Sequence, residues 1–217
     1  MDDDGDLTLA ELLCARLCHD LAGPIGAIGT GAELLTEELT TERPAGEEDA
    51  PTEALRLLAD SAAAATARLR FLRLALGPAP AFVPADQLRQ VASEFLANAA
   101  GGPSHILEWR DGRTDPWTGA EAKLALNIVL LGRDCLPRGG RLLMAARQPG
   151  GPPVRLRAEG TGAAPGEGAR ALAAPLSGRL GARGAQGVLT TRLADRLKMF
   201  ILAESVGGGI DIIAESR

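Results

Sequence analysis

Apolar residues recur at Leu9, Leu13, Leu17, Leu21, Ile28, Ala32, Leu35 and Leu39, the spacing of one helical face held over roughly eight turns. Thr8, three residues before Glu11, reads as a capping box at its start. The polar stretch from Thr40 to Gly46, with Pro44 inside it, closes the pattern. A second stripe runs through Leu55, Leu58, Ala62, Ala65, Leu69, Leu72 and Leu76, opens at Pro51-Thr52 and stops at Gly77-Pro78-Ala79-Pro80. Residues 7–76 therefore predict a helical hairpin. Two helices share too little surface to bury two broad stripes, so a second copy of the hairpin is the expected partner: a homodimer, joined in a four-helix bundle across a two-fold axis.

Beyond the proline-rich linker the period alternates. The pattern predicts helices over 86–100, 119–135 and 189–206, with strands over 104–110, 141–147, 154–159 and 210–214. The glycine-, alanine- and proline-rich stretch 160–187 predicts a partly ordered loop. Runs such as Leu142-Leu143-Met144 and Ile210-Asp211-Ile212-Ile213 suit a sheet covered on one face by helices. The fold class expected is α+β: a helical hairpin over 1–77 and a two-layer α/β sandwich over 78–217.

Charge supports the division. Residues 1–77 hold 15 acidic and 6 basic side chains and the remainder 13 and 17, within a net charge of −5. An acidic first half and the absence of a basic stripe in the second argue against nucleic acid as a partner. At 46% hydrophobic and 24% charged residues the 217-residue chain is of ordinary globular composition. No apolar run reaches the ~18 residues of a membrane span, and the acidic start differs from a secretory signal; a cytoplasmic protein is expected. Cys14, Cys18 and Cys135 lack the paired spacing of a metal site and are expected to be reduced, small apolar fillers.

The candidate chemistry lies in Cys18-His19-Asp20-Leu21-Ala22-Gly23-Pro24-Ile25. At about 100° per residue, His19 falls on the face opposite Leu17 and Leu21 and points to solvent. Its neighbours there are Ala15, Arg16, Ala22, Gly23 and Gly26, all small except Arg16, so another protein can approach closely. Pro24 removes a backbone donor and clashes with the carbonyl of Asp20, which should bend the helix one turn beyond His19. Asp20 can orient the imidazole or take its proton while the other nitrogen attacks phosphorus. Helix-weakening glycine and proline beside a histidine call for a functional reason. His105, in a strand-like run, reads as a structural histidine.

The run His19-Asp20-Leu21-Ala22-Gly23-Pro24-Ile25 resembles the phosphoacceptor box of bacterial histidine kinases, and Leu17 to Ile28 with Glu33-Leu34-Leu35 resembles more closely the ChpT-type histidine phosphotransferases of alphaproteobacteria. The order of elements in the second domain is similar to the kinase ATP-binding (Bergerat) domain, with its nucleotide motifs degraded. Asn127 stands at the first asparagine of the N box, but Leu131 replaces the magnesium-holding one. Ala158 replaces the adenine-binding aspartate before Glu159-Gly160-Thr161-Gly162, and the lid retains only Gly181, Gly184 and Gly187.

The resemblance implies a phosphoryl relay without ATP, with no cofactor or metal of its own. His19 would accept a phosphoryl group from a receiver-domain aspartate of a hybrid histidine kinase and pass it to a response regulator's receiver, which supplies Mg²⁺. Asp20 would orient the imidazole or handle its proton. Arg16, Ala22, Gly23 and Gly26 would meet the receiver, Arg16 steering its acidic pocket or touching phosphoryl oxygens. Gly23 stands where related phosphatases carry an amide or hydroxyl, so phosphatase action is not expected. Two rival readings remain, an atypical histidine kinase and a non-catalytic receiver-binding dimeric adaptor.

Overall fold

The computed structural model describes residues 3–40, 50–97, 103–173 and 181–217. Two long helices, α1 (Asp3–Thr40) and α2 (Ala50–Leu76), form the expected hairpin. They run antiparallel: Gly23 faces Arg68 and Gly31 faces Leu58. Small buried residues Ala54, Ser61, Ala64 and Ala67 line α2 and let the helices approach closely. Helix α1 begins before Thr8, so the expected capping box lies inside the helix. The first helix's expected closing residues 41–46 lie outside the described residues.

The chain continues through β1 (Phe82–Val83), α3 (Ala85–Ala97), β2 (His105–Asp111), β3 (Trp117–Thr118), α4 (Gly119–Asp134), β4 (Gly140–Ala146), β5 (Val154–Glu159), the short α5 (Glu167–Arg170), a 3₁₀ turn (Ala171–Ala173), α6 (Ala182–Arg196), β6 (Met199–Val206) and β7 (Gly209–Ser216). Helix α4 starts at a full capping box between Thr118 and Glu121. Five strands make one mixed sheet in the order β2-β4-β5-β7-β6, parallel only between β2 and β4, and β1 pairs with β3 apart from it.

Alternation decides which face is covered. Leu142, Met144, Ala146, Val154, Leu156, Ala158, Ile210, Ile212 and Ala214 point inward against α4. The opposite face carries charge, and there Arg155 and Arg157 close over the fully buried carboxylate of Asp211. The expected two-layer sandwich is thus present, with one uncovered face.

Three expectations need correction. The helix expected over 189–206 ends at Arg196, and Met199–Val206 is instead strand β6. Gly207-Gly208, both at positive φ, make a tight turn that pairs β6 with β7, a glycine-pair hairpin signal that the apolar run masked. Within the expected loop 160–187, α5, the 3₁₀ turn and the first turn of α6 are ordered elements, while 174–180 lies outside the described residues. The third concerns Arg16. It is not on the solvent face but buried, with 2% of its surface exposed, because the second domain packs against that side of α1. Its Nη2 donates to Asp134 Oδ2 at the end of α4, 2.7 Å away.

Hairpin and sandwich share one core. Phe71, Leu72 and Ala75 of α2 join α3, α4 and the sheet in a single cluster, which Leu17 and Leu21 of α1 flank. Nearer its start, α1 lays Leu9 against Ala185 and Val188 of α6, and Asp6 pairs with Arg192. Lys123 and Asn127, one turn apart on α4, cap the end of α2: Lys123 Nζ donates to the carbonyls of Leu76 and Gly77, and Asn127 Nδ2 to that of Ala75 at 2.9 Å.

His105 is buried, with Nε2 3.2 Å from the Leu136 carbonyl. Burial pushes its pKa below the ordinary 6.5, a fall that the bond to Leu136 opposes only in part. The folded protein therefore resists a proton that the unfolded chain accepts. The stability this confers is complete above pH 6.5 and is lost as pH falls from there toward the folded value. Thermal melts from pH 7.5 to 5 should show a decline that His105→Asn flattens; parallel curves would refute it. Removing one side of the Arg16–Asp134 pair strands a buried charge, so Arg16→Ala should cost about 2 to 4 kcal/mol in urea unfolding. Arg16→Met with Asp134→Leu should recover more than half of that loss.

Candidate phosphoacceptor site

Helix α1 passes through Pro24 as one continuous helix, although the proline ring cannot donate to the Asp20 carbonyl four residues earlier. Arg68 of α2 takes up that carbonyl: its Nη1 donates to Asp20 O at 3.1 Å. Burial foremost, then the charge of Arg133, pushes the Arg68 pKa down from its ordinary value, while Asp20 pulls it up.

His19 stands on the outer face with 76% of its side chain exposed, and its Nδ1 lies 3.3 Å from Asp20 Oδ1. An ionised carboxylate only accepts hydrogen bonds, so this contact places the neutral ring's proton on Nδ1 and leaves a lone pair on Nε2. Ala22, Gly23 and Gly26 beside it are exposed as expected. A Cβ added at Gly26 would meet nothing within 4 Å, and one at Gly23 only Arg68 at 3.9 Å. Cys14 and Cys18 are also exposed, contrary to their expected role as fillers, because the covered side of α1 is the one that carries Arg16; Cys135 alone is buried. Burial pushes the Cys135 thiol pKa up.

Asp20 faces inward, with 13% of its side chain exposed. Its Oδ2 lies 3.8 Å from Arg16 Nε and 3.6 Å from Arg133 Nη2. Arg133 also approaches Asp134 Oδ1 at 3.2 Å and stacks over Phe95, 4.8 Å from the ring centre. Three guanidinium groups and two carboxylates thus meet directly behind the exposed histidine, leaving an excess of one positive charge there. Arg68, Arg133 and Asp134 were not found from sequence. The carbonyl orphaned by Pro24 was a signal for a donor such as Arg68, whereas nothing near His19 points to residues more than a hundred positions away.

The residues at the expected nucleotide-motif positions make contacts within the protein. Asn127 is fully buried; besides capping α2, its Oδ1 accepts from Gln186 Nε2 on α6. Leu131 and Ala158 are core residues with no exposed surface. At the start of α6, where a helix N-terminus favours an anion, Gly181 N donates to the Glu167 carboxylate at 2.8 Å. Gly187 serves packing: a Cβ there would come within 2.0 Å of the Gly168 carbonyl. Among the described residues no group of three or more His, Cys, Asp or Glu side chains could hold a metal ion, and no helix is long and apolar enough to cross a membrane.

The chain is 35% identical over 146 residues to the protein phosphotransferase ChpT of Brucella abortus (strain 2308). That match covers 63% of this chain and 59% of the relative, less than two thirds of its length. A solved structure of a bacterial phosphotransferase superposes with a TM-score of 0.74 at 30% identity, covering 96% of each chain. The family model for the histidine phosphotransferase C-terminal domain matches residues 85–209, more than half of the sequence, and the chain belongs to that family.

Proposed function

We propose that this chain is a histidine phosphotransferase of a bacterial two-component phosphorelay, carrying a phosphoryl group between receiver-domain aspartates on His19 without using ATP. The observation that carries the reading is the exposed imidazole of His19, whose Nδ1 lies against Asp20 Oδ1, on a helix whose next turns expose only the small residues Ala22, Gly23 and Gly26 beside it.

The lone pair of Nε2 attacks the phosphorus of a receiver's aspartyl phosphate. A nitrogen–phosphorus bond forms, the phosphorus–oxygen bond to the aspartate breaks, and the electron pair leaves with the carboxylate. The ring keeps its Nδ1 proton and becomes a cation, which Asp20 stabilises. In the second transfer the same steps run backward, and neutral imidazole departs as the phosphoryl group passes to another receiver. Mg²⁺ belongs to the receivers, one from a hybrid histidine kinase and the other from a response regulator. Small residues around His19 let a receiver bring its aspartate close, and Arg16, being buried, supports Asp20 from behind instead of touching the partner. Asn127 and Glu167, spent on internal contacts, support the reading that the second domain binds no nucleotide.

The exposed apolar side chains Leu34, Leu39, Leu55 and Leu57, at the end of the hairpin remote from His19, support a homodimer through a four-helix bundle. A cytoplasmic location fits receiver partners.

Incubation with a receiver carrying labelled phosphate should move label to the wild type but not to His19→Ala, and onward to a second receiver. Label taken directly from ATP and Mg²⁺ would identify a kinase instead; binding of receivers with relay flux unchanged in His19→Ala would identify an adaptor. Sedimentation should give twice the 22.4 kDa chain mass, and Leu34→Glu with Leu57→Glu should shift it to monomer. A monomeric wild type at micromolar concentration would refute the bundle.

A further inference from the structure

The two oxygens of Asp20 have different duties. Oδ1 meets His19, whereas Oδ2 sits between Arg133 Nη2 at 3.6 Å and Arg16 Nε at 3.8 Å, buried and without a hydrogen bond of its own. Of the two cations, Arg16 is already committed to Asp134 through a 2.7 Å bond. Arg133 is the less buried of the two: 21% of its side chain is exposed, and its guanidinium lies over the Phe95 ring. It belongs to α4, in the sandwich and not the hairpin.

We propose that Arg133 is a positioning residue for phosphoryl transfer: acting through Asp20, it fixes the carboxylate that holds the His19 proton on Nδ1, so the second domain completes the phosphoacceptor site. A lone carboxylate beside an exposed ring can turn away into water, and the ring can exchange its proton to Nε2, where the nucleophilic lone pair is lost. A guanidinium behind the carboxylate restricts that rotation at little entropic expense, because Arg133 is already held by Asp134 and Phe95. The second domain thereby acts on the site through a charge in α4 and not through a nucleotide. The inference rests on the phosphotransfer reading, but its first readout requires no receiver.

The chain has only two histidines, so ¹⁵N NMR of the ring nitrogens, assigned with His105→Asn, reports the His19 tautomer directly. Neutral His19 should be mainly the Nδ1–H form. Arg133→Gln should lower the ratio of Nδ1–H to Nε2–H about threefold or more and slow transfer from a phosphorylated receiver about three- to tenfold, with Arg133→Lys restoring part of both. In an Asp20→Ala background the same substitution should change neither quantity further. If Arg133→Gln loses its folded near-UV signal, Arg133→Met, which keeps the packing on Phe95, carries the same expectations. An unchanged tautomer ratio in a folded variant overturns the proposal, and so does a rate loss of equal size with and without Asp20, which would mean direct contact with the phosphoryl group. A wild type that accepts no phosphoryl group would refute the phosphotransfer reading separately, with the tautomer result standing on its own.

Discussion

The buried ion pair between Arg16 and Asp134 is the constraint from which the geometry of this protein follows. A guanidinium with 2% exposure is tolerable only beside a carboxylate, and the only place where α1 finds one at 2.7 Å among the described residues is the last residue of α4. That requirement fixes the side and the depth at which the hairpin meets the sandwich. Once α4 ends against α1, Arg133 arrives beside Asp20, and Asp20 turns inward while the adjacent His19 turns out. Accessibility of the histidine and burial of its carboxylate partner are two consequences of one packing decision.

The same economy marks the interior of the second domain. Helix ends leave carbonyl and amide groups that must be satisfied, and in this chain side chains of the second domain meet them. Asn127 and Lys123 close the end of α2, and Glu167 meets the start of α6. With an asparagine committed to a neighbouring helix and a carboxylate where an anion would lie, the domain is organised around its contacts with the hairpin. Pro24 shows the principle in reverse: by withholding a donor it frees the Asp20 carbonyl, and Arg68 of the other helix answers it.

Much of this was legible from residue order, and the failures have physical causes. His19 and its small neighbours could be placed on an outer face because helical geometry alone decides which residues share a side. The alternation in β4, β5 and β7 likewise records a single covered face, whereas the stripe read for α2 does not: Leu55, Ala62 and Leu69 are exposed, and the side packed against α1 and the core runs through Ala54, Ser61, Ala64, Ala67 and Phe71. Arg16 was misplaced because the hairpin was treated without the sandwich, and a charged residue on a helix flank does not announce that another domain will bury it. Met199–Val206 was misread because a helical and a strand pattern coincide in a short apolar run, and the decisive signal was the glycine pair after it. Arg133 and Asp134 could not have been assigned to the site from sequence, since their relation to Asp20 exists only after α4 has docked.

The central claim is that Asp20 engages Nδ1 and leaves Nε2 of His19 to carry the phosphoryl group. The most direct measurement is ³¹P and ¹⁵N NMR of the protein after it has accepted phosphate from a receiver, in which coupling to phosphorus identifies the substituted ring nitrogen. The account predicts a single phosphohistidine, on His19, bonded through Nε2. Phosphate bonded through Nδ1, or found on any other residue, would contradict it.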